Sequence, residues 1–400
     1  MANHQQILKG VYPSPERLRA LLPKGDARYR TDLLSYDLQC IGYIGSGLMA
    51  TVYRVRKGGK EYACKVTSLR YTNTGAPSAS DIAQRTLQEI KLTQTLMRDH
   101  VHGIMPLTEY LPSESKIREY INKANRIPKA LIPPDWMILE LMPLGLPYTE
   151  FMNNLFCSGK RLTESQWAAL MLDLIQPVQY MHKRSGIIHR DLKPGNIMLI
   201  IHENGQVRAA VADFNVSKAF AGKRDYDYTK VGSDKYAHPR IMQHETRLGV
   251  RKCDAENADI YAIGQIGYQL LNAGATAPCR GYIPAPKNTP SVRVTELLRS
   301  MLSDDLQKIP NCDSIVSTLR NMISGNCSVK PPYDYSAPKH AQQGRSKPRH
   351  QGHKYNTPKP HGKKKRSYPN NQYVSPMFGQ QISMTDIFDE PFFNLPKIKF

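Results

Sequence analysis

The chain of 400 residues carries 55 Lys and Arg against 34 Asp and Glu, a formal net charge of +21, and its 40% apolar content suffices for one large core with additional tails. The seven cysteines lack metal-ligand spacing, which argues against a zinc module and favours reduced thiols in the cytosol or nucleus. The start of the chain does not resemble a signal peptide and no apolar run approaches a membrane span, so we expect an intracellular protein without membrane association.

The first predicted strands flank a glycine-rich turn. Leu38 to Tyr43 favours a strand entering the turn, and Val52 to Arg56 favours a strand leaving it. Between them, Ile44-Gly45-Ser46-Gly47 is followed by Ala50 where a third glycine would complete a GxGxxGxV loop. Glycine lets backbone amides approach phosphate oxygens, but two glycines alone are equally typical of an ordinary turn.

The next strand and helix supply a candidate ion pair. Gly58-Gly59 predicts a hairpin turn into the strand Glu61 to Val66, which carries Lys65. Asp81 to Arg98 has the apolar periodicity of a helix, with Glu89 as its central carboxylate. We assign Glu89 as the partner of Lys65, the alternative being a solvated glutamate on the helix surface.

Two stretches interrupt this part of the chain. Tyr71 to Ser80 is rich in Gly, Ser, Thr and Pro and is expected to be a loop. Ser113 to Pro134 lies between the expected fourth and fifth strands, and its Ile117 to Asn125 could add a short helix. Either stretch could be a partner surface or an ordinary elaboration of a loop.

An eight-residue string in the second half indicates a chemistry. His189-Arg190-Asp191-Leu192-Lys193-Pro194-Gly195-Asn196 places an acid, a cation and a carboxamide in one loop. Asp191 can accept the proton of an attacking hydroxyl, Lys193 can neutralise a transferring phosphoryl group, and Asn196 can hold Mg²⁺. The string therefore predicts phosphoryl transfer to a hydroxyl.

A second metal ligand is expected after a hairpin. Ile197 to Ile201 and Val207 to Ala212 favour two strands joined by Asn204-Gly205. The hairpin leads to Asp213-Phe214-Asn215, in which Asp213 is the candidate ligand. Asn215 tolerates positive φ, so we expect it to preserve the turn that a glycine would make.

Taken in order, these motifs resemble those of the eukaryotic-type protein kinase superfamily over about residues 36 to 324. Lys193 followed by Pro194 is similar to the serine/threonine-specific form. The resemblance implies an α+β, bilobal fold with a β-rich N-lobe to about residue 142 and a helical C-lobe. It further implies ATP and Mg²⁺ as cofactors and protein hydroxyls as substrates.

The resemblance also implies a site. Met137 to Met142 would be the fifth strand and hinge, with Leu139 as gatekeeper, and Val52, Ala63 and Met198 would enclose adenine unless they are simply core. The implied catalytic residues are Asp191, Lys193, Lys65 and Glu89. The implied metal ligands are Asn196 and Asp213. The implied ATP-binding residues are Ile44, Gly45, Gly47, Val52, Ala63, Lys65, Glu140, Met142 and Met198, with the backbones of Glu140 and Met142 on adenine.

The later C-lobe departs from the family pattern. Where the family has Ala-Pro-Glu this chain has His238-Pro239-Arg240, and Arg240 cannot make the buried ion pair of that glutamate. We expect Asp304 or Asp305 to pair with it, or Arg240 to be exposed. Asp259 matches the helix aspartate that braces the catalytic loop. Such departures are typical of a divergent member of the family, of viral or fast-evolving type.

Asp213 to Arg240 is the implied activation segment. Arg190 would dock a phosphate carried by this segment, whereas Asp225 and Asp227 could mimic one without modification, and the choice stays open. The candidate phosphate acceptors are Ser217, Tyr226, Tyr228, Thr229 and Ser233.

The composition changes after the kinase-like region, which follows an N-terminal extension over residues 1–35. Lys330 to Arg366 has eleven Lys or Arg against one acid, Asp334, and six prolines, so we expect residues 325–381 to be a disordered basic tail. Lys363 to Arg366 could serve nuclear import, nucleic-acid binding or solubility, and the segment could recruit acidic partners. Residues 382–400 form an acidic, aromatic end that could dock on the kinase-like region or a partner.

The motifs are consistent with two functions that belong to different classes. The first is a serine/threonine protein kinase that transfers the ATP γ-phosphate to protein hydroxyls. The alternative is a pseudokinase or scaffold that acts through the basic tail and binds nucleic acid. Retention of every catalytic side chain favours the first, whereas Ala50, Asn215 and Arg240 favour some weakening. The oligomeric state is open.

Overall fold

The structure is a computed structural model that describes residues 2–26, 28, 30–47, 50–70, 77–202, 204–219, 225–226, 235–243, 250–279 and 281–325. The helices within these residues are α1 Ala2–Lys9, α2 Pro15–Leu21, α3 Ala79–Arg98, α4 Glu114–Ala124, α5 Tyr148–Cys157, α6 Glu164–Tyr180, α7 Pro239–Gln243, α8 Lys252–Leu271, α9 Val292–Met301 and α10 Cys312–Ser324. The strands are β1 Gln39–Ser46, β2 Thr51–Lys57, β3 Lys60–Ser68, β4 Glu109–Leu111, β5 Met137–Met142, β6 Leu146–Pro147, β7 Ile187–Ile188, β8 Ile197–Ile201, β9 Val207–Val211, β10 Lys218–Ala219, β11 Asp225–Tyr226 and β12 Val250–Arg251.

The first five strands form one antiparallel sheet in the order β1-β2-β3-β5-β4. Side chains alternate between the two faces of such a sheet. One face packs on Leu33 and Leu38 and carries Cys64, Val66 and Leu139 among other apolar residues. The other face carries Lys65 and is covered by α3. The sheet and α3 together form the predicted N-lobe.

Local signals explain the N-lobe elements. Gly58 and Gly59 both have positive φ, which lets the chain turn directly from β2 into β3. Ser78 accepts a hydrogen bond from the backbone N–H of Asp81, whose carboxylate accepts from the Ser78 N–H, so a capping box starts α3. The predicted strands and helix are therefore present.

The C-lobe is helical around α6 and α8. Trp167 of α6 is fully buried, and its indole N–H donates to the carbonyl of Gly267 in α8 at 3.0 Å. The hairpin β8–β9, which turns at Gly205, packs on the same core as these helices. This places the loop before β8 and the residues after β9 at one end of the C-lobe. No helix of the described chain is both long and apolar enough to cross a bilayer.

The N-terminal extension is part of the C-lobe core and not a separate appendage. Leu8, Tyr12 and Leu18 are buried in that core, and the Tyr12 hydroxyl donates to Asp173 of α6 at 3.1 Å. Further along, Asp26 bridges to Tyr43 of β1. The extension therefore contacts both lobes, which the composition of residues 1–35 did not indicate.

Truncating Leu8 tests this packing. We expect Leu8→Ala to lower the free energy of unfolding by about 2–5 kcal/mol, because a leucine that is 2% exposed leaves a cavity when shortened. Chemical denaturation followed by fluorescence measures the loss. Lys9→Ala, on the exposed side of the same helix, is the matched control and should change stability by less than about 0.5 kcal/mol. Equal effects of both changes would contradict the packing.

Candidate active site

One buried carboxylate holds the backbone of the loop of residues 189–193 in place. Asp259 of α8 is 1% exposed and accepts hydrogen bonds from the backbone N–H groups of His189 and Arg190, both at 2.8 Å, and from His182 Nε2 at 2.9 Å. Burial raises the pKa of Asp259, but the hydrogen bonds and charges of His182 and His189 together lower it by more, so the carboxyl group stays ionised. Arg190 has a positive φ of 71°, which this bracing maintains. Asp259 therefore takes the predicted position.

The acid, the cation and the carboxamide of the loop contact one another. Lys193 Nζ lies 3.1 Å from Asp191 Oδ2. Asn196 Nδ2 donates to the Asp191 carbonyl at 2.8 Å and to Asp191 Oδ2 at 3.0 Å. A carboxylate fixed by two donors can receive a proton at a defined position, beside a cation that can balance new negative charge.

Lys65 lies among three carboxylates. Its Nζ is 2.8 Å from both carboxylate oxygens of Glu89, so the predicted ion pair is present. It is also 3.7 Å from Glu140 Oε1 and 3.9 Å from Asp213 Oδ1. Burial lowers the pKa of Lys65, but the charges of these carboxylates raise it by more, to well above its usual range. One permanent cation thus joins β3, α3, β5 and the end of the β8–β9 hairpin.

Asp213 lies where β9 ends, next to the catalytic loop. The Ala212 N–H donates to the Asn196 carbonyl at 2.9 Å, which brings the two predicted metal ligands onto adjacent chain segments. The positive φ of this turn falls on Asp213, at 66°, and not on Asn215, so our expectation for Asn215 was wrong. The next residue, Phe214, is buried against His189, with ring centroids 5.2 Å apart.

A magnesium ion fits the side chains present. Asp213 Oδ1 is buried and has no hydrogen-bond partner, with Lys65 Nζ 3.9 Å away, and a carboxylate oxygen of this kind suits a hard cation. Asn196 supplies an amide oxygen on the neighbouring segment. No set of three or more His, Cys, Asp or Glu side chains in the described ranges could hold a metal alone, so nucleotide phosphates would complete the coordination.

Apolar side chains from both lobes meet beside Lys65. Ile44, Val52 and Ala63 of the N-lobe sheet share one cluster with Met198 of β8, and all were predicted to contact adenine. Met142 and Leu144 complete this cluster, which we call the apolar pocket. A pocket lined in this way suits a flat, largely apolar base. Gly45 pairs with Val52, and the Gly47 N–H donates to the Ala50 carbonyl at 2.8 Å in the turn above it.

The predicted hinge is wrong by one residue. Glu140 pairs with both Lys65 of β3 and Tyr110 of β4, so its backbone lies inside the sheet and is not available to adenine. Its side chain, not that of Leu139, is on the same face as Lys65. Leu139 packs on the opposite face and cannot be a gatekeeper. A shift of one residue in a strand exchanges the two faces, which accounts for the error.

The sequence predicted a backbone role for Glu140, but not that its side chain would lie beside Lys65. It is 3% exposed, and burial together with the charge of Glu89 raises the pKa of its carboxyl group to about 8. Its position opposite Lys65 depends on a pairing between strands that are about seventy residues apart. No local pattern could have predicted this pairing.

Replacing Glu140 tests its protonation. The pKa of Glu140 in the folded chain is about 8, above its usual value of 4.5, so the folded chain binds the proton more tightly than the unfolded chain. The protonated carboxyl group therefore contributes stability at low pH, and this stability is lost as the pH rises through 8. We expect Glu140→Gln to gain stability relative to the parent protein between pH 5 and pH 8.5 by more than about 1.4 kcal/mol, which corresponds to one pKa unit.

Thermal unfolding at several pH values measures this difference. Glu119→Gln is the control, because hydrogen bonds from Lys123 and Lys116 lower the pKa of Glu119 and its contribution changes only at more acidic pH. Parallel stability profiles for the parent protein and Glu140→Gln would contradict the assignment.

The segment after Asp213 is only partly described. The guanidinium of Arg190 donates to the Val216 carbonyl, through Nε at 2.5 Å. Ser217 is buried and its hydroxyl donates to the His189 carbonyl at 3.1 Å. The candidate acceptors Tyr228, Thr229 and Ser233 lie outside the described residues, as do Asp227 and the basic and aromatic segments after Gly325.

Arg240 makes the substitute contact that the sequence predicted. Its Nη1 lies 3.6 Å from Asp305 Oδ1, and its side chain is 56% exposed. Next to it, His238 is fully buried, with its Nε2 3.0 Å from the Ser303 carbonyl. The departure from the family pattern therefore leaves no buried cation among these residues.

Comparisons with known proteins agree with this geometry. The family described as protein kinase domain matches residues 38–343. Serine/threonine-protein kinase Nek10 of Mus musculus is 23% identical over 301 residues, which are 72% of this chain and 24% of that protein. Cyclin-dependent kinase 20 of Danio rerio is 27% identical over 246 residues, 60% of this chain and 58% of the relative.

A protein kinase from a plant is also similar to this chain. Cyclin-dependent kinase B2-1 of Arabidopsis thaliana is 29% identical over 231 residues, 57% of this chain and 63% of the relative. The chain spans about a quarter of Nek10 and less than two thirds of the two cyclin-dependent kinases. Since the family match covers more than half of the chain and includes the ion pair, the catalytic loop and Asp213, the chain belongs to the protein kinase family.

Proposed function

We propose that this protein transfers the γ-phosphate of ATP to serine or threonine hydroxyls of other proteins. The observation that carries the proposal is the convergence of the Lys65–Glu89 ion pair, the Asp191–Lys193–Asn196 group and Asp213 beside the apolar pocket. Each group has a task in phosphoryl transfer, which depends mainly on positioning and on charge stabilisation. Serine/threonine selectivity is supported by Lys193-Pro194 and by the similarity to Nek10, a serine/threonine-protein kinase.

Each of these residues has one task in the transfer of the phosphoryl group. Asp191 accepts the hydroxyl proton as the substrate oxygen forms its bond to the γ-phosphorus. The bond from that phosphorus to the β,γ-bridging oxygen breaks, and ADP leaves with the electron pair. Lys193 offsets charge on the transferring group, and Lys65, oriented by Glu89, binds the α- and β-phosphates. Mg²⁺ held by Asn196 and Asp213 would neutralise phosphate charge.

The adenine contacts are assigned from the apolar pocket. Ile44, Val52, Ala63, Met142 and Met198 would enclose the base. Glu140 pairs with strands on both sides, whereas Met142, the last residue of β5, pairs with Ala63 of β3 on one side, so the backbone contacts to adenine would begin at Met142. Gly45 and Gly47 would let the turn between β1 and β2 approach the phosphates.

An assay of phosphate transfer tests this function. The intact chain would be incubated with ATP labelled at the γ-phosphate, Mg²⁺ and a mixture of acidic and basic proteins, followed by phosphoamino-acid analysis. Phosphoserine or phosphothreonine is the expected product. Nucleotide binding without transfer would overturn the proposal and support the pseudokinase or scaffold alternative.

We propose that the basic segment Lys330 to Arg366 directs the protein to the nucleus and binds nucleic acid or another acidic partner. Its net charge of +10, with Tyr333 and Tyr355 interleaved, supports this. The intact chain should bind labelled RNA or DNA with an affinity that falls steeply with salt. Alanine at each position from Lys363 to Arg366 should move a fluorescent fusion from nucleus to cytoplasm. Unchanged localisation and salt-independent binding would remove this proposal.

A further inference from the structure

The helix that carries Glu89 is held from two sides. In α3, Leu92 and Leu96 pack into the C-lobe core, while Ala83, Leu87 and Ile90 belong to a separate buried cluster. That second cluster includes Ile117 and Tyr120 of α4, the helix formed by the insertion between β4 and β5. The sequence left open whether this insertion was an ordinary loop, but it forms a packed helix.

Helix α4 covers the flank of α3 that lies away from Glu89. Successive residues of an α-helix are about 100° apart, so Leu87 and Lys91 each project about 160° from Glu89 around the axis. Leu87 is 5% exposed within the shared cluster, and Lys91 Nζ lies 2.7 Å from Glu114 Oε1 of α4. Contacts on this flank oppose movement of Glu89 away from Lys65.

The insertion is itself attached to the sheet. Tyr120 of α4 stacks on Trp136, with ring centroids 4.7 Å apart and planes at 24°. Ile132 and Ile138 belong to the same buried cluster, the latter within β5. Since β5 also carries Glu140 beside Lys65, α4 connects α3 to the strand next to the ion pair.

We propose that the insertion helix α4 is a positioning element for phosphoryl transfer. By packing Ile117 and Tyr120 against α3, it keeps Glu89 paired with Lys65, so the chain forms this ion pair without a separate activating subunit. Ile117 and Tyr120 are positioning residues, because they act through α3 and touch neither nucleotide nor substrate. This inference rests on the proposed kinase activity, and its test separates the two.

A double-mutant cycle distinguishes positioning from simple stabilisation of the N-lobe. Ile117→Ala should lower kcat/KM for ATP at least 10-fold. In a Glu89→Gln background the same change should lower it less than 2-fold, because the ion pair it protects is already lost. If α4 only stabilises the fold, Ile117→Ala will have the same factor in both backgrounds, which would overturn the proposal.

Two control variants and one substitute variant accompany the cycle. Ile117→Leu keeps most of the buried volume and should retain at least half of the parent kcat/KM. Lys123→Ala changes an exposed residue of the same helix, whose side chain pairs with the partly exposed Glu119, and should change kcat/KM less than 2-fold. If Ile117→Ala does not fold, Tyr120→Leu replaces it in the cycle, with the same expected results.

Amide hydrogen exchange provides a readout that does not need catalysis. Ile117→Ala should speed exchange at least 10-fold in peptides from α3, while α6 in the C-lobe keeps its parent rates. If the parent protein transfers no phosphate but α3 responds in this way, the proposed function fails and the positioning of α3 stands. Unchanged exchange in α3, or an equal increase in all strands of the N-lobe, would overturn the positioning role.

Discussion

Asp191→Asn is expected to lower kcat for phosphoryl transfer at least 100-fold, while ATP affinity changes less than 3-fold. The amide keeps the size of the carboxyl group and can still accept a hydrogen bond from Asn196 Nδ2, which lies 3.0 Å from Oδ2 in the parent protein. It cannot take the proton of the attacking hydroxyl, and general-base catalysis contributes on the order of 10²–10⁴-fold. Because Asp191 is not one of the residues that form the apolar pocket, base binding should survive the change.

Single-turnover kinetics and equilibrium binding of a fluorescent ATP analogue measure the two quantities separately. Asp313→Asn is the matched control, since Asp313 is a surface carboxylate paired with Lys183 and 52% exposed. It should retain the parent kcat. Transfer by Asp191→Asn at more than a tenth of the parent kcat would show that another group accepts the proton.

Lys65→Met is expected to abolish transfer and also to destabilise the fold in a pH-dependent manner. Removing the cation leaves Glu89, Glu140 and Asp213 close together without an opposite charge. Breaking a buried ion pair by deleting one partner costs about 3–5 kcal/mol, and we expect a loss of this size at pH 8. The loss should be smaller at pH 5.5, where the carboxyl groups can protonate and no longer repel one another.

A second substitution separates stability from activity. Lys65→Met with Glu140→Leu should recover most of the lost stability at pH 8, because a buried carboxyl group is replaced by an apolar one, but it should recover no transfer. Lys57→Met is the control in the same sheet: its ion pair with Glu109 is 27% and 37% exposed, and its loss should cost less than about 1 kcal/mol. If Lys65→Met is as stable as Lys57→Met at pH 8, the three carboxylates do not depend on Lys65.

The two Lys65→Met variants and the Glu140→Gln variant test the same buried cluster of charged side chains. Lys65 and Glu89 are the pair that the sequence predicted, and Glu140 is the additional carboxyl group that the fold brings to them. With its pKa raised to about 8, Glu140 is mostly protonated at neutral pH, so Lys65 keeps its charge available for phosphates. A protein kinase with a leucine on that face would lack this pH dependence.

The sequence alone predicted phosphoryl-transfer chemistry and the order of the elements. The string from His189 to Asn196 contains the proposed proton acceptor, the cation and an amide ligand within eight residues, so its chemistry could be predicted without knowing its distant contacts. Hairpin turns at Gly58-Gly59 and Asn204-Gly205 were predictable for the same reason, since positive φ favours glycine locally. The Lys65–Glu89 pair followed from one lysine and one central helix carboxylate.

The residues that surround the predicted site became clear only from the packing of elements that are distant in the sequence. Glu140 and Leu139 lie on opposite faces of the sheet, and the pairing of β5 with β3 decides which of them faces Lys65. A shift of one residue in the register would exchange their faces. The packing of Leu8 and Tyr12 in the C-lobe, and of α4 against α3, depends on apolar faces whose partners are distant in sequence. Burial against a distant partner leaves no local signature beyond an apolar periodicity, which is why the sequence could predict the reaction but not the elements that hold its residues in place.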